Sequence, residues 1–257
     1  MPSRETAIVF GVGPGLGWAL ARRFAAANME VAAVARDKAK LNSLIRSEGS
    51  HDIRPYAADV SSGDDVLRVF DGVDRDLGEP DLVVFNAGAF QKANVLDIDS
   101  ADFERCWRIG CLGGLLVAQA AARRMVKRGH GTIIFTGATA ALRGSAGFAN
   151  LAVPKFGLRA LAQSMARELG PKAYTSDSLS STDKSSPNAI DIWSRSAAGT
   201  PCSHRMRSLN FICNCIDSRA APGLTRSTFV HGRRSSSSLD RLRWADARSL
   251  RSSLQTS

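Results

Sequence analysis

The sequence predicts an α/β protein with a doubly wound parallel sheet in three layers, α/β/α. Three observations predict it. Strand-like apolar runs alternate with helix-period segments as far as Lys172. Several of those runs (IVF, LVVF, TIIF) are apolar on both faces, as strands between two helix layers must be. A glycine-rich turn stands between the first run and the first helix, where such sheets bind ligands.

The elements follow in order. TAIVF (6–10) is a strand, and LGWALARRFAAAN continues it as a helix after the turn. EVAAVA (30–35) precedes the helical DKAKLNSLIRS, and DIRPYAA (52–58) precedes SGDDVLRVFDGVDRDL. DLVVF (81–85) leads through Asn86-Ala87-Gly88 and a loop to a helix from about Ser100 to Lys127. GTIIFTG (131–137) leads to a last helix from about Asn150 to Leu169. Right-handed crossovers then place helices on both faces.

The chain of 257 residues, 44% apolar, suits one α/β domain with a full core. No run approaches the roughly 18 apolar residues of a membrane span, and MPSRETAIVFG lacks the regions of a signal peptide. A cytoplasmic protein without membrane partners is expected. Five irregularly spaced cysteines suggest neither a metal site nor a disulfide framework. The net charge of +10 is uneven: residues 1–173 carry 22 basic and 18 acidic side chains, residues 174–257 carry 12 and 6.

Gly11, Gly13, Gly15 and Gly17, with Leu16, form the turn GVGPGLG. Glycines there allow a tight turn and let backbone N–H groups approach a pyrophosphate at the positive end of a helix. Within a βαβ unit the pattern defines a Rossmann-type dinucleotide site. At the end of the second strand Arg36 replaces the usual acidic reader of a ribose 2′-hydroxyl. A guanidinium suits a 2′-phosphate, so NADP is expected, with NAD tolerated through the neighbouring Asp37.

The glycine turn, Asp59-Val60 after the third strand and Asn86-Ala87-Gly88 after the fourth together resemble the short-chain dehydrogenase/reductase family from about Thr6 to Lys172. The resemblance implies that Asp59 and Val60 border the adenine and that Asn86, Ala87 and Gly88 close the cofactor crevice. It implies hydride transfer to or from a small-molecule carbonyl or alcohol. In that family a Tyr serves as acid/base, a Lys one helical turn later lowers its pKa and holds the ribose, a Ser binds the substrate oxygen, and an Asn supports a water relay. Here Lys155 is retained, but the Tyr, Ser and Asn positions hold Leu151, Ala138 and Gly110. Tyr56 and Tyr174 have Val60 and Ser178 four residues on, so neither rebuilds the pair. Thr136, Thr139 and Ser145 offer hydroxyls without a suitable pKa, and Lys155 becomes a proton donor only if burial depresses its own. Phe10 also departs from the family, which usually has Thr before the first glycine.

After Lys172 the pattern stops. Residues 174–257 hold 20 Ser, 11 Arg, one Lys and no Glu, a composition typical of disorder. The family continues after Gly-Pro-Lys with Gly-Ile-His-Val. Ala173-Tyr174-Thr175-Ser176, encoded GCA TAC ACG TCN after AAG, becomes that text when one G is restored. Residues 173–257 are thus expected to be an out-of-frame translation or a disordered Ser/Arg-rich tail. No folded reader accompanies the arginines, so specific nucleic-acid binding is not expected. Without further strands the sheet would end uncovered beside the fifth, and the homo-oligomer usual in the family would be compromised. Three functions stay open: an NADP-dependent oxidoreductase, a catalytically silent dinucleotide-binding protein, and a truncated product without function.

Overall fold

A computed structural model of the chain describes residues 4–49 and 52–169 and the backbone of 175–179. The strands are β1 (Thr6–Phe10), β2 (Glu30–Ala35), β3 (Ile53–Ala57), β4 (Leu82–Phe85), β5 (Thr132–Thr136) and β6 (Thr175–Leu179). The helices are α1 (Leu16–Ala26), α2 (Lys38–Glu48), α3 (Gly63–Asp76), α4 (Ser100–Trp107), α5 (Gly113–Arg128) and α6 (Ala149–Leu169). All paired strands are parallel, in the order β3-β2-β1-β4-β5-β6.

Alternation along β1 explains the three layers. Ile8 and Phe10 face one side, with Val66, Val69, Phe70 and Val73 of α3, Val117 and Ala121 of α5 and Leu158 of α6. Ala7 and Val9 face the other, with Trp18, Leu20, Ala21 and Phe24 of α1 and Leu41 of α2. Each face is a separate apolar cluster, the direct product of a two-residue side-chain period. Phe10, the departure noted in sequence, fills the first cluster, its ring 5.8 Å from that of Phe70.

Helix ends are set by short polar side chains. Asp37 accepts from the Lys40 N–H at the start of α2, Ser62 from Asp65 at α3, and Asp99 from Ala101 and Asp102 at α4. Gly49 and Gly129 close α2 and α5 in the left-handed region.

Two expectations are corrected. No strand is expected after Lys172, yet the backbone of Thr175–Leu179 lies parallel to β5, pairing Thr132 with Thr175 through Thr136 with Leu179. Ladder bonds come from main-chain groups, so a serine-rich segment can cover the edge that its composition does not announce. The rest of the Ser/Arg-rich tail lies outside the described residues. Secondly, Ser100–Arg128 forms one helical run of 29 residues, long and apolar enough by composition to cross a bilayer. Half of its apolar window is buried against the protein, with Val117, Ala118, Ala121 and Met125 in the core, as in an ordinary core helix. The run is also interrupted, since Arg108–Leu112 winds as a π turn.

Candidate functional site

The site is built at the carboxyl ends of β1, β4 and β5, where the strand order reverses around β1. Gly11 follows β1 with φ +84°, and a Cβ there would stand 2.4 Å from the Ala87 nitrogen. The turn after β1 is thus pressed against the turn after β4. Asn86 fastens the two: its N–H donates to the Phe10 carbonyl and its Nδ2 to the Gly11 carbonyl, each at 2.9 Å. Gly17 closes the same seam, since a Cβ would lie 2.5 Å from the Gly11 oxygen.

Gly13 and Gly15 behave differently. A Cβ at either would meet nothing within 4 Å, so their lack of a side chain leaves open space rather than relieving a contact. The N-terminus of α1 beside them has no side-chain cap and no acidic residue in its first turn. Open glycine backbone before an uncapped helix start is the environment a pyrophosphate requires, so the residues present fit a dinucleotide.

Arg36 is exposed beyond β2. Asp37 is engaged: Oδ1 accepts from the Lys40 N–H at 3.0 Å and Oδ2 lies 3.5 Å from Lys40 Nζ. The backbone bond from Lys40 chiefly holds its carboxyl below the usual range. Asp59 accepts from the Ser61 N–H and hydroxyl at 2.9 and 2.7 Å, and its own N–H donates to Asp65. Val60 is buried, and Gly113 can approach it only without a Cβ, which would lie 3.0 Å from Val60 Cγ2. Ala87 is buried and Gly88 is exposed, with open space where a side chain would be.

Beyond β5, the start of α6 carries the next residues singled out in the sequence. Lys155 is 7% exposed, and its Nζ donates to the Thr136 carbonyl at 2.6 Å. Burial lowers its pKa to about 8. Leu151 is half-buried one turn earlier, and Ala138 precedes the short 3₁₀ turn Thr139–Ala141. Neither has a side-chain atom that exchanges protons. Gly110 sits in the π turn facing Pro154, whose Cβ would be 3.0 Å from an added Cβ. The sequence signals none of this contact, because it joins residues far apart in the chain.

Two hydroxyls named in the sequence are engaged elsewhere. Thr136 Oγ1 donates to the Phe85 carbonyl at 3.3 Å, and the Tyr56 hydroxyl donates to Asp76 at 3.0 Å. Burial, with Asp76 beside it, pushes Tyr56 up to about 12. Sequence reasoning missed three features of the site: the Thr136 carbonyl, the Gly110–Pro154 contact, and the stacked rings of Phe90 and Phe148, 5.0 Å apart. Only Pro154, a proline inside a helical pattern, left a visible mark in the sequence.

The short chain dehydrogenase family model matches residues 5–176, and the chain belongs to that family, whose members have an NAD(P)-binding Rossmann fold and act as oxidoreductases. It is 35% identical over 175 residues to (3R)-3-hydroxyacyl-CoA dehydrogenase of Mus musculus, covering 64% of this chain and 68% of that protein. It is 31% identical over 173 residues to the 3-oxoacyl-[acyl-carrier-protein] reductase MabA of Mycobacterium avium, covering 67% and 64%. The chain therefore spans about two thirds of the length of these curated relatives. A short-chain dehydrogenase from Rhodopseudomonas palustris shares the fold at 38% identity and a TM-score of 0.63, over 67% of this chain and 82% of that one. A gluconate 5-dehydrogenase from Burkholderia cenocepacia, solved with NADP and tartrate, shares it at 28% identity and 0.62, over 67% and 68%.

Proposed function

We propose that this chain binds NADP(H), in preference to NAD(H), in the crevice between the ends of β1 and β4, and that it does not perform tyrosine-dependent proton transfer. The observation that carries this is the contrast within one site: the glycine turn is intact while Leu151 occupies the tyrosine position. Gly11, Gly13, Gly15, Leu16 and Gly17 hold the pyrophosphate, and Arg36 reads the 2′-phosphate because the Asp37 carboxylate caps α2. Asp59, Val60, Asn86, Ala87 and Gly88 line the nucleotide, and Lys155 holds the ribose. When bound, NADPH supplies a hydride; the chain itself offers no tyrosine to supply the accompanying proton. The occupant of the substrate side is a small carbonyl or alcohol, and the compartment is the cytoplasm. The NADP complex of the Burkholderia relative supports the choice of cofactor.

Titration of NADPH fluorescence tests the proposal. A saturable signal is expected, with no ketone reduction above background. Absence of saturation would overturn binding, and reduction that survives Lys155→Ala would overturn the catalytic part.

The depressed pKa of Lys155, about 8, favours a second reading in which its ammonium is the proton donor. Reduction would then decline as pH rises above about 8 and vanish in Lys155→Ala. We further infer that residues from Ala173 onward are translated out of frame. Sequencing the coding DNA around Lys172 is expected to reveal one base lost from a G run, and a clean in-frame read would refute it.

A further inference from the structure

The strand order leaves β3 outermost on its side of the sheet, and a cleft of about 430 Å³ opens there between β3, α3 and the start of α2. That volume lies within the roughly 300–1,000 Å³ of clefts that hold small ligands. Its charge is one-sided. Lys38, Arg54, Arg68 and Arg75 line it against one carboxylate, Asp76. The Arg68 and Arg75 side chains are 70% and 75% exposed, so a ligand reaches them directly from solvent.

The carboxylate is already engaged. Asp76 accepts from the Tyr56 hydroxyl at 3.0 Å and from Arg75 Nε at 3.1 Å. The Tyr56 bond, and after it Arg75, hold its carboxyl below the usual range. The arginines keep most of their donors: Arg54 gives one nitrogen to the Asp76 carbonyl, Arg75 one to its carboxylate, and Arg68 one to Asp65. Gly72 makes the room. A Cβ there would stand 3.3 Å from Tyr56 Cε1 and 3.7 Å from an Arg75 guanidinium nitrogen, filling the place where ring and cation meet.

We propose that this cleft binds the phosphate chain of a polyphosphate, inorganic or carried by a nucleotide, clamped by Arg54, Arg68 and Arg75 with Lys38 as a further cation. The cations come from three elements around one space. A carboxylate offers two coplanar oxygens to one guanidinium fork, whereas successive phosphoryl groups offer oxygens in several directions to several forks.

Isothermal titration calorimetry of the full chain with tripolyphosphate, with and without saturating NADPH, tests this. One site per chain is expected, and it is retained when NADPH is bound. Arg68→Gln combined with Arg75→Gln is expected to weaken it at least about tenfold, with the NADPH titration unchanged. Arg46→Gln combined with Arg167→Gln removes the same charge from exposed positions on α2 and α6 and is expected to weaken it less than about twofold. Equal losses from the two pairs would reduce the binding to general attraction by a chain of net charge +10, which overturns the proposal. Binding displaced by NADPH and indifferent to Arg68 and Arg75 would put the anion at the glycine turn, which overturns it too, as does no binding at all. ATP as a second probe separates the sources. Affinity no higher than that of tripolyphosphate identifies the bare chain, and a gain that Tyr56→Leu abolishes identifies a nucleotide. If NADPH itself does not bind, the comparison of arginine pairs still decides, so the two proposals fail separately.

Discussion

Gly11 and Gly13 lie two residues apart in one turn, yet the same change to alanine is expected to damage the protein in opposite ways. At Gly11, alanine must adopt φ +84°, which costs an L-residue roughly 1–2 kcal/mol. Its Cβ would also meet backbone, 2.4 Å from the Ala87 nitrogen and 2.8 Å from the Asn86 carbonyl carbon. Backbone cannot swing aside, so the turns after β1 and β4 must part. The two 2.9 Å bonds from Asn86 to Phe10 and Gly11 are then weakened, at about 1 kcal/mol each. Together the losses come to about 3–4 kcal/mol, a large share of the 5–15 kcal/mol that holds a typical domain. The midpoint of thermal unfolding, followed by circular dichroism without cofactor, should fall on the order of 10 °C. At Gly13 a Cβ meets nothing within 4 Å, so stability should change by no more than about 0.5 kcal/mol. The same Cβ stands where backbone must approach the pyrophosphate, so NADPH affinity should fall at least about tenfold. Gly13→Ala melting as early as Gly11→Ala, or binding NADPH like the unaltered protein, would refute the division of labour.

Three further outcomes are expected. Leu151→Tyr combined with Ala138→Ser should raise ketone reduction by about 10²-fold or more over the parent chain, measured as NADPH consumption, with neither single change sufficient. Stability should depend on pH through Lys155: its folded pKa of about 8 lies below the ordinary 10.5, so the unfolded chain binds more protons between those values. Resistance to urea should therefore rise from pH 8 to 10.5, and Lys155→Met should lack that part of the rise. Asp37→Ala, which removes the side-chain acceptor for the Lys40 N–H, should lower the urea midpoint in the same denaturation.

The strands and most helices were legible because burial on two faces writes itself into sequence as uninterrupted apolar runs such as Leu82–Phe85. The phosphate end of the site was legible for a related reason: a tight turn that must admit an anion can be made from few residue types. The π turn at Arg108–Leu112 was not, since one extra residue in a helical turn leaves no periodic trace in so short a stretch. Nor was the duty of Asp37, which reads equally well as a ribose acceptor or a helix cap until the Lys40 N–H is seen beneath it. Lys155 stands out by position, but its partner was not legible, being a main-chain oxygen of Thr136, a group that every residue carries and none advertises. Composition misled at β6, where main-chain pairing needs no apolar side chain.

The contact between Gly110 and Pro154 also couples two positions far apart in the chain. Any side chain introduced at Gly110 begins with a Cβ 3.0 Å from the Pro154 Cβ and 3.6 Å from its Cγ, atoms of a rigid ring that cannot rotate away. An asparagine there requires the proline to give by a few tenths of an ångström. The bare position in the π turn and the proline of α6 are thus one fitted joint, and a change made on either side is felt on the other.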